Sequence, residues 1–243
     1  MRVVKADDYQ TWFIEEDGFG VLIDPWLDKK LNPESSILLQ RERQTTSSLS
    51  QKELDQVKVA IVTAPFIDHL HIPSIKKLNN KVKIITTKKV RKILIRNQIN
   101  NPITCIDNQV MEVGPFKLSV FPAGFPYSWS AFCFFLENTE GKTIFHEGHM
   151  ANFLKLKRLK RKCDAVLITL DKVKFLGIIT LSMGPKEGFK TARLLGSKRI
   201  MATGTQPNKI KGLINYFLST KQDDELKNDE FDVYTKKGDE VLL

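Results

Sequence analysis

Six side chains able to ligate a metal or move a proton fall in two short segments of this sequence. Asp68, His69 and His71 lie in Thr63-Ala-Pro-Phe-Ile-Asp-His-Leu-His71, directly after the apolar run Val57–Val62. His146, Glu147 and His149 lie in His146-Glu-Gly-His149, directly after Thr143–Phe145. Imidazole and carboxylate groups ligate zinc and manganese, and they also serve as general acids and bases. The chain has only four histidines, and all of them are in these segments. The plainer alternative makes them hydrogen-bonded structural groups. No Gly-rich phosphate loop or Ser-His-Asp order is present, and Gly18-Phe-Gly20 reads as a turn. Cys105, Cys133 and Cys163 follow no metal-ligand spacing. So sparse and odd a set fits a reducing compartment better than a disulfide framework.

The elements that would carry these segments can be read from the pattern. Trp12–Glu15 and Gly20–Asp24 flank an Asp17-Gly18 turn, a hairpin signal. Residues 28–52 are polar and without period, which predicts a long loop with at most a short helix. Val57–Val62 and Val82–Thr86 read as buried strands, each followed by a helix, Ile72–Leu78 (with Pro73 in its first turn) and Lys88 to about Arg96. Strands are expected at Val110–Val113, Phe116–Phe121, Ala131–Glu137 and Thr143–Phe145. A basic helix over about 151–161, a strand at Ala165–Leu170, and a helix from Pro185 to Leu195 ending at Gly196 follow. The remaining chain predicts a strand at Arg199–Ala202, a helix from about Lys209 to Ser219, and a closing hairpin from Phe231.

The loop at 63–71 resembles the metal-binding loop of metallo-β-lactamase-fold hydrolases, His-x-His-x-Asp-His after a buried strand. Ala64 and Phe66 stand at its two leading His positions, while Asp68 and His69 are kept. Leu22-Ile-Asp-Pro-Trp26 resembles the end of the family's first hairpin, in the form seen in the branch with ascorbate-6-phosphate lactonases. There the residue equivalent to Asp24 braces the metal loop; a plain turn cap is the alternative. Phe121-Pro-Ala-Gly-Phe125 resembles the family's Pro-Ala-x-His segment without its His. His149 stands where the family has its bridging Asp, Leu181-Ser-Met-Gly-Pro185 resembles the branch's Met-x-Pro helix start, and Thr203-Gly204 replaces the last His.

The resemblance runs over nearly the whole chain and implies an α+β fold, a four-layer αββα sandwich in one domain over residues 1–243. A dinuclear centre of this family needs more histidines than the four present. What remains implies either no metal or a single divalent ion, zinc or manganese, held by Asp68, His69 and His149. His146 or Glu147 would then serve nearby as base or orienting partner. Ala64, Phe66 and Phe125 would set apolar groups where ligands normally converge. Two functions follow. One is a pseudoenzyme that binds a ligand or partner through the old cleft; the other is a single-metal hydrolase of a phosphate-bearing or ester/lactone substrate.

Composition sets wider bounds. Hydrophobic residues make up 42% and charged residues 27%, with a net charge of +10. The charge favours an anionic small molecule or a partner protein, with nucleic acid less favoured. Basic runs at Lys155–Lys162 and Lys88–Arg96 read as solvated helix faces or as an anion-binding surface. No apolar run is long enough for a transmembrane segment. Met1–Asp8 lacks the apolar stretch of a signal peptide, so a cytoplasmic location is expected.

Overall fold

The computed structural model describes residues 1–30, 40–43, 45–106, 109–204, 209–221, 226 and 228–243. Two seven-stranded sheets form its body. In the first, Arg2–Lys5, Trp12–Glu16 and Phe19–Ile23 run antiparallel, and Val57–Val62, Lys83–Thr86 and Ile103–Cys105 continue parallel to the last of them. The second sheet is built likewise. Val110–Val113, Phe116–Pro122, Phe132–Asn138 and Thr143–His146 form a meander, then Ala165–Thr169, Arg199–Thr203 and Asp232–Tyr234 add in parallel.

Strand periodicity explains how the layers stack. In Val57–Val62, Val59 and Ile61 enter the core shared by the two sheets, while Val57, Ala60 and Val62 face the outer helix layer. From Val59 onward the strand is buried on both faces and wholly apolar, with the exposed Lys58 near its start. Phe134, Leu136, Ile144 and Leu167 meet it from the second sheet. Helices Ile72–Lys77 and Lys88–Arg96 cover the first sheet, and Phe153–Leu159 and Pro185–Leu195 cover the second. This is the αββα sandwich.

Local signals set the helix ends. Thr87 Oγ1 accepts from Val90 N, and Ser50 with Glu53 closes a capping box at Gln51–Gln56. Gly196 ends Pro185–Leu195 at φ 65°. No described helix is long and apolar enough to cross a membrane. The two basic helices lie on opposite outer layers, because Val90 and Leu94 pack on one sheet and Leu156 on the other. Arg161 is not free in solvent. It pairs with Glu137, donates to Ser119 Oγ at 3.1 Å and lies 4.6 Å over the Phe135 ring.

The C-terminal third departs from expectation. The helix expected from Lys209 to Ser219 is instead a strand Lys209–Lys211, a 3₁₀ turn Leu213–Phe217 and a strand Leu218–Lys221. Gly212 at φ 113° interrupts any helix, and pairing with Gln40–Glu42 and Lys172–Phe175 claims the backbone bonds. The closing hairpin is likewise absent: Asp232–Tyr234 joins the second sheet and Glu240–Leu242 the first. Of the polar stretch 28–52, residues 31–39 and 44 lie outside the described residues, and Gln40–Glu42 forms a short strand.

Phe134 is fully buried between the sheets. Phe134→Ala should cost about 3–5 kcal/mol, read as a lower urea midpoint at unchanged slope. A loss below about 1 kcal/mol would contradict its place in the core.

Candidate metal centre

The centre forms where loops leave the C-terminal ends of parallel strands in both sheets. Asp24 follows Phe19–Ile23 and adopts φ 45°. Its Oδ1 accepts Thr63 N at 2.8 Å, and its Oδ2 accepts Thr63 Oγ1 at 2.6 Å and His69 Nδ1 at 2.7 Å. The His69 proton is assigned to Nδ1 by this network, which leaves Nε2 for another partner. That Nε2 is buried and has no hydrogen-bond partner. Burial alone would lower the His69 pKa, but the charge and hydrogen bond of Asp24 outweigh it and raise the value.

Asp68 Oδ2 accepts the Tyr9 hydroxyl at 3.2 Å and lies 3.9 Å from Arg41 Nη1 and 4.0 Å from His149 Nε2. Its backbone carbonyl accepts Gln10 Nε2. Burial alone would raise the Asp68 pKa, yet His69, His149 and Arg41 hold it at about 2. The carboxylate is therefore ionised, and the Arg41 guanidinium is 4.6 Å over the Tyr9 ring.

His149 reaches the same point from the second sheet. It adopts φ 90°, and a Cβ on the preceding Gly148 would fall 1.9 Å from the Phe132 carbonyl oxygen. Only glycine can precede it there. The His149 ring stacks on Tyr127 at 4.7 Å and lies 4.2 Å from the His69 ring and 5.6 Å from Phe66. Burial, and next the charge on His69, pushes its pKa down to about 3. A neutral imidazole is the form that binds a metal.

The structure thus brings Asp68, His69 and His149 together, with one ligand atom from each within 4.8 Å of the others. The other two histidines serve elsewhere. His71 Nδ1 is 2.7 Å from Ser74 Oγ at a helix start. His146 Nδ1 accepts from Gly148 N at 3.1 Å, and its ring stacks on Phe134. Burial pushes both pKa values down to about 4. Glu147 Oε1 accepts Thr169 N at 2.5 Å, while its Oε2 is buried without a partner. Its carboxyl lies at the strand ends where Thr169 and Thr203 share a hydroxyl hydrogen bond of 2.7 Å.

Ala64 and Phe66 do bring apolar surface to the centre, but Phe125 does not, being 82% exposed. Its expected place beside the imidazoles is taken by Tyr127. Tyr9, Gln10, Arg41 and Tyr127 carried no sequence signal, since each comes from a loop or short edge strand and is adjacent only in space.

The family model for the beta-lactamase superfamily domain matches residues 5–204. The chain belongs to this family. The beta-lactamase superfamily fold is also seen in an isothiocyanate hydrolase from Delia radicum gut bacteria, at TM-score 0.75 and 17% identity, covering 100% of this chain and 99% of that one. A possible metal-dependent hydrolase from Veillonella parvula is similar at TM-score 0.68 and 17% identity, over 84% of each chain. Igni18, a metallo hydrolase from Ignicoccus hospitalis, gives 0.64 and 12%, covering 99% of this chain and 97% of the other. No curated protein matches the chain.

The donor set fits one metal ion and not two. An orphaned imidazole nitrogen, an ionised carboxylate and a neutral imidazole face one point. Ala64, Phe66 and Phe125 offer no side-chain donor for a second ion.

Burial pushes the Glu147 carboxyl up to about 8. A carboxyl raised in the folded state favours folding while protonated, so its contribution fades as pH rises from the unfolded value of about 4.3 through about 8. Glu147→Gln should therefore gain thermal stability over the parent across that window and show no gain below pH about 4. Melts of both proteins in chelator test this; parallel curves from pH about 4 to 9 would refute it.

Proposed function

We propose that this chain is a single-metal hydrolase, with Asp68, His69 and His149 holding one zinc or manganese ion. The observation that carries this reading is His69. Its Nδ1 is fixed by the buried Asp24 carboxylate, which aims an unpartnered Nε2 toward Asp68 and His149. A carboxylate behind a ligating imidazole sets its tautomer and raises its basicity. Once bound, a metal in an open three-ligand site lowers the pKa of its water and polarises a carbonyl or phosphoryl oxygen.

The chain's own residues do the rest. Asp24 and Thr63 fix the His69 ring, and Tyr9 holds the Asp68 carboxylate. Phe66 and Tyr127 pack against His149 and restrict water on that side. Arg41 sets a positive charge beside the centre, suited to a substrate with a phosphate or another anionic group. Ester or lactone chemistry is supported by the Ile23-Asp-Pro-Trp26 and Met183-Gly-Pro185 segments, whose likeness is to the ascorbate-6-phosphate lactonase-like branch. The proteins of similar fold include hydrolases and also a diiron beta-hydroxylase from Streptomyces venezuelae. We place the activity in the cytoplasm. A second reading, a metal-free pseudoenzyme that binds a ligand, draws support from the Phe66 and Tyr127 rings beside His149.

Protein purified without chelator should carry about one transition metal per chain by elemental analysis. His149→Ala should abolish that uptake while keeping the fold. Less than about a tenth of an equivalent after soaking in zinc and manganese would favour the metal-free reading.

A further inference from the structure

Beside the centre stand apolar groups that the metal site itself does not use. Most lie in the loop joining Phe116–Pro122 to Phe132–Asn138, closed at its base where Ala123 N donates to Ala131 O at 3.1 Å. Two tight turns follow one another inside it. Tyr127 N donates to Gly124 O at 2.8 Å, and Ser130 N donates to Tyr127 O at 2.9 Å. Phe125 therefore falls within the first turn, Trp129 within the second, and Tyr127 at their junction. Tyr127 stacks on His149, whereas Phe125 is 82% and Trp129 96% exposed.

The chain itself bounds how far these rings lie from the centre. Two residues span at most about 7 Å between Cα atoms, so Phe125 and Trp129 are both anchored within that reach of Tyr127. Ile67, also exposed, stands in the metal loop between Phe66 and Asp68. Phe66 in turn packs on both Tyr127 and His149. Apolar groups thus gather on the His149 side of the centre, while Arg41 sets a positive charge beside Asp68. Clustered exposed apolar groups mark a binding surface, unlike isolated ones.

Area narrows the occupant. A large aromatic side chain buries about 150–250 Å², so Phe125 and Trp129 offer at most about 500 Å² between them. Ile67, 37% exposed, adds little. A stable protein interface buries about 800 Å² per partner. Small-molecule sites need less, a few aromatic groups around a few polar ones. We propose that this loop is a substrate subsite, in which Phe125, Trp129 and Ile67 receive an aryl or branched alkyl group joined to the reacting ester or phosphate. The proposal rests on the single-metal reading, which puts the reacting group at Asp68, His69 and His149. Affinity then grows with the apolar area the substrate brings.

The chain carries its own reporter. Trp12 and Trp26 are fully buried, so Trp129 is the one tryptophan of the three open to a quencher. The test titrates the whole chain, soaked in zinc and desalted, with methylphosphonate and with phenylphosphonate, which share an anionic head and differ by the ring. Phenylphosphonate should bind about tenfold tighter by calorimetry. It should also move the Trp129 emission to shorter wavelength and shield it from acrylamide, and methylphosphonate should do neither. Phe125→Ala with Trp129→Ala should bring the ratio of the two affinities to about one. Both side chains are exposed, so this variant should melt with the parent. The proposal is overturned if the two phosphonates bind alike, if neither binds, or if the variant keeps the preference. It is equally overturned if raising the protein concentration, or adding phosphatidylcholine vesicles, shields Trp129 without any phosphonate, since the loop would then meet a second copy or a membrane. Zinc measured on the same samples separates this proposal from the reading beneath it. A full equivalent of zinc with no phenyl preference overturns the subsite alone. A phenyl preference in protein that retains no zinc overturns the single-metal reading alone.

Discussion

The centre depends on one buried carboxylate. Asp24 is fully buried and would carry a large desolvation cost alone. It is offset by three donors, the Thr63 amide, the Thr63 hydroxyl and the His69 ring. Hydrogen bonds to a charged group contribute about 1.5–3 kcal/mol each, and those lost here would leave a backbone amide and an imidazole unsatisfied in the interior. The same bonds tie together the ends of two neighbouring parallel strands, Phe19–Ile23 and Val57–Val62. Strand register, loop direction and the aim of His69 are therefore one arrangement.

The fold was largely legible because its strands announce themselves. Val57–Val62, Thr143–His146 and Ala165–Thr169 are buried over most of their length and carry apolar centres, and their turns and caps fall at Gly, Pro, Thr and Asp where local chemistry requires them. What failed was decided at long range. Lys209–Lys211 and Leu218–Lys221 are strands because Gln40–Glu42 and Lys172–Phe175 offer partners, which no local pattern shows. The hairpin of Lys172–Phe175 and Ile179–Ser182 was invisible because Leu-Gly is not a recognisable turn pair. Of the centre, Asp68, His69 and His149 could be placed by resemblance, and their meeting within 4.8 Å agrees with it. Tyr9, Arg41 and Tyr127 could not, since their role comes only from proximity.

The two sides of the centre are filled differently. Around His149 the space is filled by aromatic rings, Phe66 and Tyr127, which desolvate the imidazole and keep it neutral. Around Asp68 it is filled by Tyr9 and Arg41, which satisfy a carboxylate that burial would otherwise protonate. An apolar fill suits a group that must stay uncharged, and a polar fill suits one that must stay charged. Both keep the deprotonated forms a metal requires.

Backbone strain gives an independent measure of where this chain bears a cost for a purpose. Among the described residues, six other than glycine have positive φ: Asp17, Asp24, Gln98, His149, Lys160 and Leu176. Three are explained locally, Asp17 by a hairpin turn and Gln98 and Lys160 by helix ends. Asp24, His149 and Leu176 are left. The first two carry the carboxylate and the imidazole that define the centre, and His149 is held at φ 90° by a glycine that admits no side chain. Strain survives where surrounding structure over-determines it, and such places are enriched in function. Leu176 has no such enclosure: its side chain is 57% exposed at the tip of a turn. At Asp24 and His149 the strained conformation is held by hydrogen bonds and ring packing and is accounted for by the centre.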